Sequence, residues 1–135
     1  MRIVVDTNVL ISAFIATGTC KDILEYAVET HEVIISPYIL KELKEKLIEK
    51  LVFSTKDYRD IRDILQQHLT VVTEKKSLQS FPDKDDIPIL NLCLTVKADI
   101  LVTGDKELLK LRLIGNTKII PPSEFWKIEK GIRSR

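Results

Sequence analysis

Cysteine and histidine are scarce in this 135-residue chain, two of each, and they stand apart. Cys20 and Cys93 form no C-x-x-C pair, and His31 and His68 are isolated, so a zinc site is not expected. Two single thiols in apolar surroundings fit a reducing, intracellular compartment, which makes the cytoplasm the expected location. Glycine numbers only four, which argues against long flexible loops. No Gly-x-Gly-x-x-Gly follows the first apolar run, which argues against a dinucleotide-binding oxidoreductase. An excess of one charge is also missing: 21 basic against 20 acidic residues leave +1, so no global field draws the chain to nucleic acid or to a membrane. No apolar run approaches the roughly 20 residues of a membrane-spanning helix. The short apolar stretch ahead of Asp6 does not have the make-up of a signal peptide.

What is present is an ordinary globular balance, 44% hydrophobic and 30% charged, in a length that suits one domain. The chain alternates between two periods. Ile3–Val5, Val33–Ile35, Leu69–Val72, Ile100–Val102 and Lys118–Ile120 are short, β-branched or apolar runs that read as five strands. Between them lie helical patterns over about 20–29, 38–51, 56–68, 87–97 and 107–113, and a last helix follows Pro121-Pro122-Ser123-Glu124, in which Trp126 is expected to pack. Strands without a polar face, alternating with helices, imply a parallel sheet covered on both sides. The basic tail over 131–135 is expected to fray, leaving one domain over 1–130.

In such a sheet, ligands gather at the carboxyl ends of the strands, near the point where strand order reverses. Asp6 and Asp105 each stand just past a strand and so share that edge. Two helix starts reach the same edge. Glu42 lies about 7 Å along one of them from Pro37, at ~1.5 Å per residue, while Glu45 and Glu49 lie farther on. Asp86 stands immediately before the other helix, with Asp83 and Asp85 on the loop ahead of it. Four carboxylates at one edge stay ionised together only if a cation neutralises them. Hard oxygen ligands without histidine or cysteine select Mg²⁺ or Mn²⁺, one ion or two, and such ions support phosphodiester hydrolysis by in-line attack. Each acid has an ordinary alternative: Asp6 and Asp86 as helix caps, Glu42 as a solvated charge, Asp105 as part of a turn.

The motifs resemble the PIN domain family. Val5-Asp6-Thr7-Asn8-Val9-Leu10, Ser36-Pro37-Tyr38-Ile39-Leu40-Lys41-Glu42-Leu43, Asp83-Lys84-Asp85-Asp86-Ile87-Pro88-Ile89-Leu90 and Leu101-Val102-Thr103-Gly104-Asp105-Lys106-Glu107-Leu108-Leu109 are similar to its four motifs, in order and over nearly the whole chain. The resemblance implies an α/β fold, a three-layer αβα sandwich with a five-stranded parallel sheet, and Mg²⁺- or Mn²⁺-dependent ribonuclease activity. It places the family's acids on Asp6, Glu42, Asp86 and Asp105, as catalytic and metal-binding residues, with Thr103 and Asn8 in support. It also implies RNA as substrate, an antitoxin protein as partner, as in toxin–antitoxin pairs, and a homodimer. Ile87, Cys93 and Glu107 depart from the family pattern, and Ile87 leaves Asp85 and Asp83 open as the third acid.

Two other readings stand beside a metal-dependent endoribonuclease. A catalytically inactive PIN-like module would bind RNA or protein through the same edge. A phosphoryl-accepting receiver domain would need adjacent acids at the first strand, which 1–5 lack, and a lysine after the last strand, whereas Lys118 precedes the apolar residues of its own. Lys41, Lys44, Lys84 and Lys106 flank the acids and are candidates for phosphate contacts.

Overall fold

Val5 and Val102 lie side by side on adjacent parallel strands, and this register organises the molecule. The computed structural model describes residues 1–16 and 18–133. Strands β1 (Arg2–Val5), β2 (Glu32–Ile35), β3 (Thr70–Val71), β4 (Ile100–Val102), β5 (Leu113–Ile114) and β6 (Thr117–Ile120) form one sheet in the order β3-β2-β1-β4-β6-β5. All neighbours are parallel except β5 and β6. The apolar stretches of β1, β2 and β4 are buried throughout, as a sheet covered on both faces requires.

The helices are α1 (Thr7–Ile15), α2 (Thr19–Thr30), α3 (Pro37–Glu45), α4 (Thr55–His68), α5 (Ile87–Val96), α6 (Lys106–Leu111) and α7 (Phe125–Arg133). Strand order runs outward from β1 to β2 to β3, then returns past β1 to β4. Right-handed crossovers therefore put the helices of the two halves on opposite faces, giving three layers. The reversal falls between β1 and β4, where a doubly wound sheet opens a crevice. A receiver-type sheet has the order 2-1-3-4-5 instead, and this one does not.

The sheet has six strands, not five. The short helix read over 107–113 ends at Leu111, and Leu113–Ile114 turns back antiparallel on Thr117 and Lys118 through Gly115-Asn116. Gly115 has φ +58°, a left-handed conformation that glycine adopts freely at the first central position of the turn. A second difference lies at the end of α3. The helix read over 38–51 becomes a wider π-helical turn at Lys46–Lys50, followed by Val52 at φ +57°, strained for a β-branched residue. A third is α1 over Thr7–Ile15, a helix absent from the helical patterns above, which begin at about residue 20.

The irregular stretch 72–83 is long but pinned. Buried Asn91 on α5 accepts hydrogen bonds from the Ser77 and Leu78 amides and donates to the Leu78 carbonyl, and Thr95 accepts from the Lys75 amide. At the C-terminus, Phe125 is the fully buried aromatic, whereas Trp126 is 40% exposed and packs edge-on against Tyr26. Tyr26 and His31 both hydrogen-bond to the buried Glu129 of α7, tying the last helix to α2 and the start of β2. That helix continues through Arg133. Ser134 and Arg135 of the expected tail lie outside the described residues.

Candidate metal centre

Pairing in register explains why two strands end in aspartate at one place. Beyond Val5↔Val102 the ladder continues one step: the Asp6 amide donates to the Val102 carbonyl at 3.0 Å, and the Thr103 amide to the Ile120 carbonyl at 3.0 Å. Asp6 and Thr103 therefore emerge side by side. The Thr103 hydroxyl, fully buried, donates to Asp6 Oδ2 at 2.6 Å and accepts from the Asp105 amide at 3.0 Å. One hydroxyl thus joins the ends of β1 and β4. The Asp6 carboxylate makes no cap hydrogen bond to α1, although the residue occupies the N-cap position. Burial pushes its pKa up, and the Thr103 hydroxyl, the Thr7 amide and the nearby Lys46 charge oppose that rise.

Asp105 does cap. Its Oδ1 accepts from the Glu107 amide at 2.8 Å and starts α6. The same carboxyl group lies with those of Asp83 and Asp86, one ligand oxygen from each falling within 4.8 Å of the others. Asp86 reaches this group from the 3₁₀ turn Lys84–Asp86 that precedes α5. It is buried, caps nothing, and its Oδ2 has no hydrogen-bond partner. Burial, then the charges of Asp105 and Asp83, push its pKa up from 3.8 to about 7. An orphaned carboxylate oxygen facing two more carboxyls is costly without a cation. This donor set, all oxygen and all acid, fits a hard divalent ion.

Asp83 joins this group, while Asp85 turns aside. The Asp85 amide donates to Asp83 Oδ1 at 2.9 Å, and its side chain lines a shallow cavity of about 230 Å³ with Tyr38, Lys41, Glu42 and Glu45. Glu42 stands apart from the three aspartates. It accepts a hydrogen bond from the Thr7 hydroxyl, one residue beyond Asp6, and is placed by α3, whose N-cap Ser36 Oγ accepts from the Ile39 amide at 3.2 Å. Glu45, farther along α3, lines the same cavity as Glu42. The Tyr38 phenol is pushed up by burial and then by Glu42, Asp85, Asp83 and Asp86, so it stays protonated beside them. Cys93 is buried near Asp6, and burial holds its thiol up at about 12, so it offers no thiolate ligand.

Asn8 has a partner that sequence reading missed: Lys46 Nζ donates to its Oδ1 at 3.0 Å. Lys46 follows Glu42 by four residues, the helical spacing that returns a side chain to the same face. Of the lysines expected to flank the acids, Lys44 instead lies over the Tyr58 ring, 5.9 Å from its centre, and Lys41, Lys84 and Lys106 are exposed. A larger cavity of about 660 Å³ is lined by Phe14, Leu24, Val28, Ile64 and other side chains of α1, α2 and α4, and holds none of the candidate acids.

Fold and site define a doubly wound α/β domain with a carboxylate cluster at the switch point of its sheet. The chain belongs to the PIN domain family, whose model matches residues 2–107; PIN domains are generally nucleases. An uncharacterised protein of Methanocaldococcus jannaschii, MJ1680, is 31% identical over 118 residues, 83% of this chain and 76% of that protein. Among solved structures, VapBC2 from Rickettsia felis, bound to a DNA fragment from its promoter, has a similar fold. Its TM-score is 0.66 at 17% identity, covering 90% of this chain and 98% of that one. The RRP44 PIN domain of T. brucei gives 0.55 at 10% identity, covering 98% and 83%. Among the described residues no helix is long and apolar enough to cross a membrane.

Proposed function

We propose that the chain is a divalent-metal-dependent endoribonuclease that hydrolyses RNA phosphodiester bonds. The observation that carries this reading is the buried, partnerless Oδ2 of Asp86 within the Asp83–Asp86–Asp105 group. Asp86 and Asp105 would hold Mg²⁺ or Mn²⁺ with Asp83, and Asp6 would stand beside them, its orientation fixed by Thr103. A divalent ion bound there supplies charge neutralisation and a more acidic water. Glu42, which accepts the Thr7 hydroxyl, would orient the attacking water and take its proton. The water oxygen bonds to phosphorus as the bond to the leaving ribose oxygen breaks, and that oxygen takes a proton from solvent.

The family resemblance extends the reading to a toxin held by an antitoxin partner, to a homodimer and to the cytoplasm. The likeness in fold to VapBC2 supports the antitoxin partner, and two free cysteines support the compartment. The test is cleavage of a mixed pool of labelled structured and single-stranded RNAs by wild type and Asp105→Asn, in Mn²⁺, Mg²⁺ and EDTA. Cutting that needs metal and vanishes in the variant supports the nuclease. Metal binding without cutting supports an inactive binding module.

A further inference from the structure

Tyr38, Lys41, Glu42 and Glu45 stand at i, i+3, i+4 and i+7 of α3, so they share one face of that helix. With Asp85 they line the cavity of about 230 Å³. Asp85 lies in the 3₁₀ turn between Asp83 and Asp86, and its amide is held by Asp83 Oδ1 at 2.9 Å, so the cavity adjoins the carboxylate trio. Glu42 is engaged by the Thr7 hydroxyl. The other polar groups of the cavity are unspent. Among the described residues the Tyr38 hydroxyl and the Glu45 and Asp85 carboxylates make no hydrogen bond, and Lys41 forms an ion pair with none of the acids around it. The cavity is smaller than the roughly 300–1,000 Å³ of sites for drug-sized ligands, and suits one planar ring system.

We propose that this cavity is a base-recognition subsite beside the metal centre, and that the base it takes is guanine. This rests on the nuclease reading and adds which base is read there. Three carboxylates around one lysine repel a phosphate and attract the N–H donors of a base edge. Guanine presents three such donors on its pairing edge, N1–H and the two of N2, beside the O6 acceptor. Adenine and cytosine present only the two of one amino group, next to ring acceptors, and uracil presents one between two carbonyls. Asp85 and Glu45 accept from the guanine N–H groups, Lys41 donates to O6, and the Tyr38 ring stacks on the base. Only an unpaired base has that edge free, so the substrate is single-stranded at this position.

The test is fluorescence anisotropy of the full chain with labelled uracil hexamers that carry guanine, adenine, cytosine or uracil at the third position, in EDTA so that nothing is cut. Wild type should bind the guanine hexamer about tenfold more tightly than the other three. Asp85→Asn and Glu45→Gln should each lose most of that preference. Both should bind the all-uracil hexamer more tightly, because a charge that repels phosphate is gone. Tyr38→Phe should keep the preference, and Tyr38→Leu should weaken guanine binding. A merely structural role would change all four affinities alike. Equal affinities for the four hexamers in wild type, or a guanine preference that survives in both acid variants, overturns the proposal. The affinities need no cleavage, so a chain that selects guanine but cuts nothing in Mn²⁺ removes the nuclease reading and leaves the base site standing.

Discussion

The carboxyl groups of Asp86 and Asp105 meet at the carboxyl edge of the sheet, one from the turn before α5 and one from the loop after β4. Burial and the charges of Asp105, Asp83 and Asp6 all act on Asp86 in the same direction, and all three neighbours are acids.

This pairing sets a pH dependence. Asp86 titrates at about 7 in the folded chain, against 3.8 as its ordinary value. Between these pH values the folded state holds a proton that the unfolded state has released, so stability falls as pH rises through the window. Asp6, also raised, acts in the same direction. Denaturant melts of metal-free protein should show the loss between about pH 4 and 7. Saturating Mn²⁺ should restore about 2.7 kcal/mol at a hundredfold excess over its dissociation constant.

Thr103 joins Asp6 to the Asp105 amide through one buried hydroxyl. Thr103→Val keeps the shape and removes both hydrogen bonds, at a cost of about 2–3 kcal/mol, since one partner is charged. Thr103→Ser keeps the bonds and loses only a methyl group, at about 1 kcal/mol. Chemical denaturation of the two variants checks the order, and Mn²⁺ affinity should fall in the valine variant alone.

Asn91 holds the stretch 72–83 through three backbone hydrogen bonds. Asn91→Leu leaves two amides and a carbonyl without their partner, which destabilises the chain by about 1–3 kcal/mol. Limited proteolysis should then cut within 75–80 while the sheet stays protected.

The strands around the site were legible because parallel strands buried on both faces are unbroken apolar runs, and Ile3–Val5 and Ile100–Val102 are that. That Asp6 and Asp105 share one edge followed from strand polarity; the pairing of β1 with β4 that brings the two strand ends together did not. The β5–β6 hairpin was readable in principle, from Gly115-Asn116 between Leu113-Ile114 and the strand Thr117–Ile120, but a short helix pattern over 107–113 masked it. Lys46 was hidden for another reason. Its hydrogen bond to Asn8 depends on the approach of α1 to α3, a tertiary fact that no local spacing encodes, and the π-helical turn it begins has no sequence signature. The Asp83–Asp85–Asp86 ambiguity required the 3₁₀ turn itself, which buries Asp86 and leaves exposed Asp83 beside it and Asp105.

Asp86→Asn gives the most direct test of the central claim, that the buried acids are kept for a metal that cuts RNA. The substitution removes the least favourable buried charge, so the metal-free variant at pH 8 should be more stable than wild type by about 1–2 kcal/mol. The melt and the RNA cleavage assay belong on one preparation, in Mn²⁺. A more stable protein that binds Mn²⁺ weakly and has lost RNA cleavage is the predicted result. A variant that cleaves as fast as wild type would contradict the account, because its fold would be intact and its acid dispensable.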